Sequence, residues 1–290
     1  MSNNSSSRVE LIEKRLAELV PENGYPANIF QAMRYSLLAG GKRIRPIFFM
    51  AAADAVGADG TNFIDAACAL EMIHTYSLIH DDLPAMDNDD YRRGRLTNHK
   101  VFGEGMAILA GDGLLTLAFQ TLIRQQEINA AVLNKIVDLY ATAAGPIGMV
   151  GGQAIDLASA GGLIAETDLL YMHKAKTSEL FRAALVGGAL AAGANTLQIE
   201  AMQTFAELFG LAFQITDDIL DVTSSFEELG KPIGSDEKNA KPTYVSKYGL
   251  SGARQMANDA VAQAIASLSI FGERADLLRV AAQQLLTRRS

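Results

Sequence analysis

The sequence predicts an all-α protein, built as a helical bundle. Three observations carry that expectation: Ala and Leu dominate a chain without tryptophan, strand-like alternation of β-branched and polar residues is scarce, and apolar runs recur at helix length. At 290 residues and 49% hydrophobic content the chain can bury one large core. We expect a single domain over 1–290, with residues 1–7 disordered.

The first helical period runs from Val9 to Leu19 and stops at Pro21, with Gly24 and Pro26 reading as a loop. The next helices are expected over Ile29 to Ala39, Arg45 to Val56, Phe63 to His80, Ala107 to Ile123 and Ala131 to Met149. Later ones cover Leu169 to Ala192, Ile199 to Leu220, Ser251 to Phe271 and Ala275 to Thr287. Several are apolar nearly all round, as helices buried in a large bundle are. Two polar stretches, Asp87 to Gly105 and Thr223 to Thr243, read as loops, and each follows a carboxylate cluster.

Twenty-five Lys and Arg against thirty-three Asp and Glu give a net charge of −8. That balance argues against nucleic acid or an anionic membrane surface as the main partner, so an anionic substrate needs a local basic site. Cys68 lies among Ala66, Ala67 and Ala69 and reads as a small core residue. The polar start from Ser2 to Ser7 lacks the apolar stretch of a secretory signal, and no uncharged apolar run reaches membrane-spanning length. No stable membrane insertion is expected, and the compartment expected is the cytoplasm.

Chemistry concentrates in two acidic clusters. In the segment DDILD, Asp217 and Asp221 stand one above the other on a helix, with Asp218 about 100° round. Like charges about 4 Å apart repel by roughly 4 kcal/mol at an intermediate dielectric, so such bunching is costly unless a cation binds. Alone, the motif reads equally as a solvated acidic helix end. The segment DDLPAMD repeats it: Pro84 ends or kinks the helix near Leu83, leaving Asp81 and Asp82 at its C-terminus, with Asp87 carried back by the turn. A helix C-terminus disfavours carboxylates and favours a cation. Asn88, Asp89 and Asp90 continue the run, with Asp89 and Asp90 reading as a solvated face. Neither cluster has the His or Cys of zinc sites or the loop of calcium sites; oxygen-only ligands point to Mg²⁺ shared with a diphosphate.

Donors for that anion are present. Arg92 and Arg93 follow the first cluster, and Lys231, Lys238 and Lys241 follow the second. The segment GGKRIRP places Lys42 and Arg45 three residues apart beside Gly40 and Gly41, which allow close backbone approach to an anion; alone it reads equally as a solvated basic turn. His74 shares a helix face with Asp81, although a lone His there is more often a satisfied core residue. Lys176, Thr177 and Gln214 are ambiguous by themselves.

Taken together, GGKRIRP, HTYSLIHDDLPAMDNDDYRRG, GGQAIDL, the Lys176-Thr177 pair, FQITDDILD and the later GK and KPTY strings resemble the bacterial farnesyl diphosphate synthase family, from about Gly40 to Tyr244. The resemblance implies a helical bundle around a deep central cavity, a homodimer and three Mg²⁺ ions. It implies that Asp81, Asp82 and Asp87 hold two of the ions, and that Asp217 holds the third with support from Asp218 and Asp221. Arg92, Lys176, Thr177, Gln214, Lys231 and Lys241 then meet the allylic diphosphate, and Lys42, Arg45, His74 and Arg93 match the isopentenyl diphosphate site. Asn88 departs from the Asp common in the family, at a position outside the metal-binding pattern. Gln153 and Asp156 fit a supporting role in the GGQ string.

The reaction so implied is Mg²⁺-dependent condensation of isopentenyl diphosphate with dimethylallyl or geranyl diphosphate to farnesyl diphosphate. Lys176, Thr177 and Gln214 are its catalytic candidates. Tyr76, five residues before Asp81, lies about 7.5 Å further along the helix and is the family's position for blocking the growing chain. On an ideal helix Ser77 faces the site more directly, at about 40° from Asp81 against about 140° for Tyr76, so both are chain-length candidates. A geranylgeranyl diphosphate synthase shares this chemistry with a deeper pocket; a non-catalytic partner of another synthase would not need two intact Asp motifs.

Overall fold

The computed structural model describes residues 3–159, 166–223 and 243–288. The chain divides into two compact units, residues 1–50 with 59–138, and residues 51–58 with 139–290.

The first unit holds α1 (Asn3–Leu19), α2 (Ala27–Leu37), the start of α3 (Ile44–Val56), α4 (Ile64–Asp81), α5 (Asn98–Phe102) and α6 (Glu104–Ile123). Between α4 and α5 runs a hairpin of β1 (Tyr91–Arg92) and β2 (Arg95–Leu96), the one sheet among the described residues. Helix α4 is the unit's centre. Ala66, Ala67, Cys68, Ala69 and Leu70 are all fully buried, and small side chains let the flanking helices approach. Burial pushes the Cys68 thiol far above its ordinary pKa, so it serves as an inert core residue. Helix α6 packs along α4, and a Cβ at Gly111 would come within 2.1 Å of the His80 ring nitrogen that meets the Ile108 carbonyl. Glycine is required there by close approach.

The helix α7 (Ala130–Ala144) links the units. The second continues with α8 (Met149–Ser159), α9 (Glu166–His173), a π-turn (Lys174–Ser178), α10 (Glu179–Ala191), α11 (Thr196–Thr223), α12 (Tyr244–Ser267) and α13 (Asp276–Leu285). Helices α11 and α12 pack through Ile215, Ala253 and Ala257, with Leu211, Ile219 and Met256 around them.

Three expectations are corrected. Helix α1 reaches back to Asn3, so residues 3–7 are helical; Asn and Ser are well suited to a helix start. The helix expected over Ala131 to Met149 breaks at Gly145-Pro146, because the residue before proline is pushed out of the α region, and α8 starts anew at Met149. The stretch after Asp87 carries the hairpin and α5: Arg93 (φ 53) and Gly94 (φ 72) both take the positive φ of a tight two-residue turn. As expected, no uncharged run of membrane-spanning length occurs: α6 is long and apolar enough to cross a membrane by length and composition, but Asp112 interrupts it, and 39% of its apolar window is buried inside the protein.

Candidate active site

Helix α4 ends at Asp81, with Asp82 as its C-cap, as Pro84 requires. The Asp87 amide donates to the Asp81 carbonyl at 2.8 Å, and Asn88, at φ 54, donates to the Leu83 carbonyl at 3.1 Å. The acidic segment therefore folds back onto the helix end, bringing Asp87 to Asp81. Asp81 and Asp82 are buried and Asp87 is exposed. Burial pushes the Asp82 carboxyl up from its ordinary pKa, with Arg92 opposing. Arg92 places Nε at 2.7 Å and Nη2 at 2.6 Å from Asp82 Oδ1, and Nη2 lies 3.6 Å from Asp89. Burial pulls the Arg92 guanidinium down, and the Asp82 pairing more than offsets it. Asp90 pairs with Lys100 at 2.7 Å, and the Asp89 and Asp90 side chains stay 40% and 58% exposed, as expected of a solvated face.

The hairpin is pinned to its unit. The Tyr35 hydroxyl donates to the Leu96 carbonyl at 2.7 Å, the Asn98 amide donates to the Ala32 carbonyl and the Ser36 hydroxyl at 2.8 Å each, and Thr97 donates to the Asp89 carbonyl. At its tip Arg93 donates to the Gly40 carbonyl and lies so close to Gly41 that a Cβ there would come within 2.8 Å of its guanidinium. The glycine pair thus admits Arg93 to the basic loop.

Within that loop Arg43, at φ 48, turns inward. It donates to Glu71 at 2.7 Å, to Glu13 at 2.8 Å and to the Leu37 carbonyl at 2.6 Å, with its side chain fully buried. Arg43 is the anchor the sequence reading passed over; its position between Lys42 and Arg45 gave no signal of an inward turn. Burial pulls the Arg45 guanidinium down to about 10, with Glu71 opposing and the Arg93 charge adding to the fall. His74 is held well below the ordinary imidazole range, first by burial, then by the charges of Arg45, Arg93, Arg92 and Arg43. Arg45, His74 and Arg93 are therefore near enough to sense one another, while Lys42 is exposed at the rim.

Tyr76 is buried edge-on to His80 at 5.7 Å, and burial and Asp81 push its hydroxyl up to about 12. Ser77 turns its hydroxyl to the His74 carbonyl at 2.9 Å.

In the second unit the carboxylates of α11 separate. Asp218 is buried, and accepts from the Gln214 amide at 2.9 Å and from the Tyr244 backbone N–H at 2.8 Å. It ties α11 to the start of α12, a structural duty the spacing did not reveal. Asp217 is 57% exposed, 3.8 Å from Arg288, whose guanidinium lies over the Phe213 ring. Arg288 lies far along the chain from Asp217, and only folding relates the two. Asp221 is partly buried. Lys176 and Thr177 belong to the π-turn, which packs on α8 and α11, and a Cβ at Gly210 would come within 2.1 Å of the Ser178 hydroxyl. Such turns often mark functional sites. Gln153 and Asp156 lie on α8. Lys231, Lys238 and Lys241 lie outside the described residues.

Among the described residues no three Asp, Glu, His or Cys side chains gather as a metal cluster. Asp82 and Asp218 are each held by donors of the chain itself. The donor set still fits Mg²⁺, an ion that takes one or two carboxylates and completes its shell with water and phosphate oxygens. Asp81 and Asp82, adjacent at a helix C-terminus, are such a pair.

Solved isoprenoid synthases share this all-α fold. An FPP/GFPP synthase from Zymomonas mobilis superposes with a TM-score of 0.86 and 36% identity, over 99% of this chain and 100% of its own. The geranylgeranyl pyrophosphate synthetase of Pyrococcus horikoshii gives 0.90 and 31%, over 98% and 97%. A farnesyl diphosphate synthase of Geobacillus stearothermophilus is 49% identical over 248 residues, 85% of this chain and 84% of its own. The polyprenyl synthetase profile matches residues 26–277, and the chain belongs to that family.

Proposed function

We propose that this chain is a prenyl transferase that joins isopentenyl diphosphate to dimethylallyl or geranyl diphosphate, giving farnesyl diphosphate. The observation that carries the reading is the hairpin: Arg92 lies against the buried Asp82 and Arg93 against the basic loop of Gly40 and Gly41. One rigid turn thus serves an acidic cluster and a cationic pocket. The family match runs through both compact units, which supports a single synthase domain.

In this reading Arg93, Arg45, Lys42 and His74 bind isopentenyl diphosphate, and Arg92, Lys176, Lys231 and Lys241 bind the allylic diphosphate. Asp81, Asp82 and Asp87 would hold two Mg²⁺ ions and Asp217, with Asp221, a third, while Asp218 keeps the helix end in place. Bound Mg²⁺ supplies Lewis-acid neutralisation of the leaving diphosphate. The arginines share that charge and orient the bond that breaks. Gln214, its amide N–H held by Asp218, and Thr177 offer dipoles to the allylic cation, and the isopentenyl double bond attacks it. The released diphosphate takes the final proton.

The test is product release from geranyl and isopentenyl diphosphates with Mg²⁺; undiminished turnover after thorough chelation refutes the reading. A second product, geranylgeranyl diphosphate, is favoured by the likeness to the Pyrococcus horikoshii structure. Chromatography of dephosphorylated products decides between them, and Tyr76→Ala is expected to lengthen the product if Tyr76 is the floor. A homodimer is supported by α6, which leaves Ile108 and Leu109 exposed at 44% and 52%. Light scattering checks it.

A further inference from the structure

Arg92 stands where a cation is wanted. Its Nε and Nη2 both reach the same oxygen of Asp82, at 2.7 and 2.6 Å, and Asp89 lies 3.6 Å away. The Asp82 side chain is 4% exposed, so its charge is poorly screened by solvent. The Nε–H bond and the close Nη2 contact also crowd a carboxylate oxygen through which Asp82 would bind a metal. Under the function proposed above, both residues have other partners in the working complex, Asp82 a metal ion and Arg92 a diphosphate. Neither set of contacts can form in full while the ion pair persists.

We propose that Arg92 is a built-in counter-ion, which holds Asp82 until a diphosphate draws it away, so that Mg²⁺ and diphosphate bind as a coupled pair. The proposal rests on that function only for the identity of the ligands. The exchange needs no backbone movement: β1 is paired with β2, the hairpin is tied to α2 through Tyr35 and Asn98, and only the Arg92 side chain has to turn. In this arrangement Mg²⁺ alone competes with a guanidinium already in place and binds weakly. Diphosphate alone must draw Arg92 from a buried carboxylate and leave it uncompensated. Together each ligand relieves what the other disturbs, and by linkage each strengthens the other equally.

Calorimetry of the full chain with Mg²⁺ alone, inorganic diphosphate alone and both together tests this, after correction for Mg²⁺–diphosphate association in solution. In the wild type the affinity for Mg²⁺ is expected to rise at least about tenfold when diphosphate is present. Arg92→Gln is expected to bind Mg²⁺ alone about tenfold more tightly than the wild type does, and to gain much less from diphosphate. Arg95→Gln, which removes a neighbouring guanidinium stacked on Tyr35 at 4.4 Å, is expected to stay within about twofold of wild type, separating contact from general charge. Mg²⁺ alone should raise the Tm of Arg92→Gln and barely move that of the wild type. If Arg92→Gln does not fold, Arg92→Lys, which keeps the charge without the fork, is expected to fall between the two. Unchanged Mg²⁺ affinity in these Arg92 variants, or a wild type indifferent to diphosphate, overturns the proposal. A wild type that shows the exchange yet forms no prenyl product fails the function alone; one that forms product with Mg²⁺ affinity independent of Arg92 fails the counter-ion alone.

Discussion

The two aspartate clusters use the same residue at the end of a helix, yet the chain treats them differently. Asp81 and Asp82 are both buried, and Asp82 is held by Arg92 on a hairpin that is itself pinned to α2. On α11 the roles are divided: Asp218 is buried and spent on Gln214 and Tyr244, while Asp217 is 57% exposed with Arg288 at 3.8 Å. The lesson is that adjacent carboxylates, alike in sequence, end in different surroundings according to what the backbone offers them. A buried carboxylate has to find donors, and an exposed one can wait for a ligand.

That difference can be attacked from both sides, beginning with the base of the first site. Arg43→Ala removes the guanidinium between Glu71 and Glu13 and leaves Glu71 buried without its ion pair; a loss of about 3–5 kcal/mol is expected in denaturant unfolding. A loss below about 1 kcal/mol would mean that the basic loop stands without its anchor.

On the second helix, Asp217→Ala is expected to lower turnover by about 10²–10³-fold, near 3–4 kcal/mol of barrier, while the Tm stays close to wild type because the side chain is mostly exposed. Unfolding with retained specific activity would reverse the assignment. Asp218→Ala should show the opposite balance, losing about 2 kcal/mol of stability through its bonds to Gln214 and the Tyr244 N–H, as a thermal scan would reveal. Equal stability of the two variants would erase the division of roles.

The smallest effect concerns pH. His74 has its pKa lowered in the folded chain, so the unfolded chain binds the proton more readily. The stability this represents is present above the unfolded value of 6.5 and is lost as pH falls below it. His74→Gln should flatten that part of the stability–pH curve. An unchanged slope would assign the acid sensitivity to other groups.

Much of this was legible beforehand because it depends on neighbours in sequence. Pro84 stops α4 wherever the chain goes, and the return of Asp87 to the Asp81 carbonyl follows from the same short turn. The hairpin was missed because its two-residue turn uses Arg93, a residue that seldom takes positive φ; Gly94 beside it was the available signal. The break between α7 and α8 was signalled by Gly145-Pro146 and overlooked within an apolar run.

By itself the sequence determined the helical class, most helix positions, the two acidic helix ends and the family, since periodicity, proline stops and motif order are all properties of the linear chain. Only the tertiary structure decided which charges bind inward. Arg43 and Glu71 are 28 residues apart, and Asp218 and Tyr244 are 26 apart. Arg43 is as basic as Arg45, and Asp218 as acidic as Asp217; nothing local separates them. Burial separates them, because a charge taken from water must be met by a partner from elsewhere in the chain, and that partner is chosen by packing.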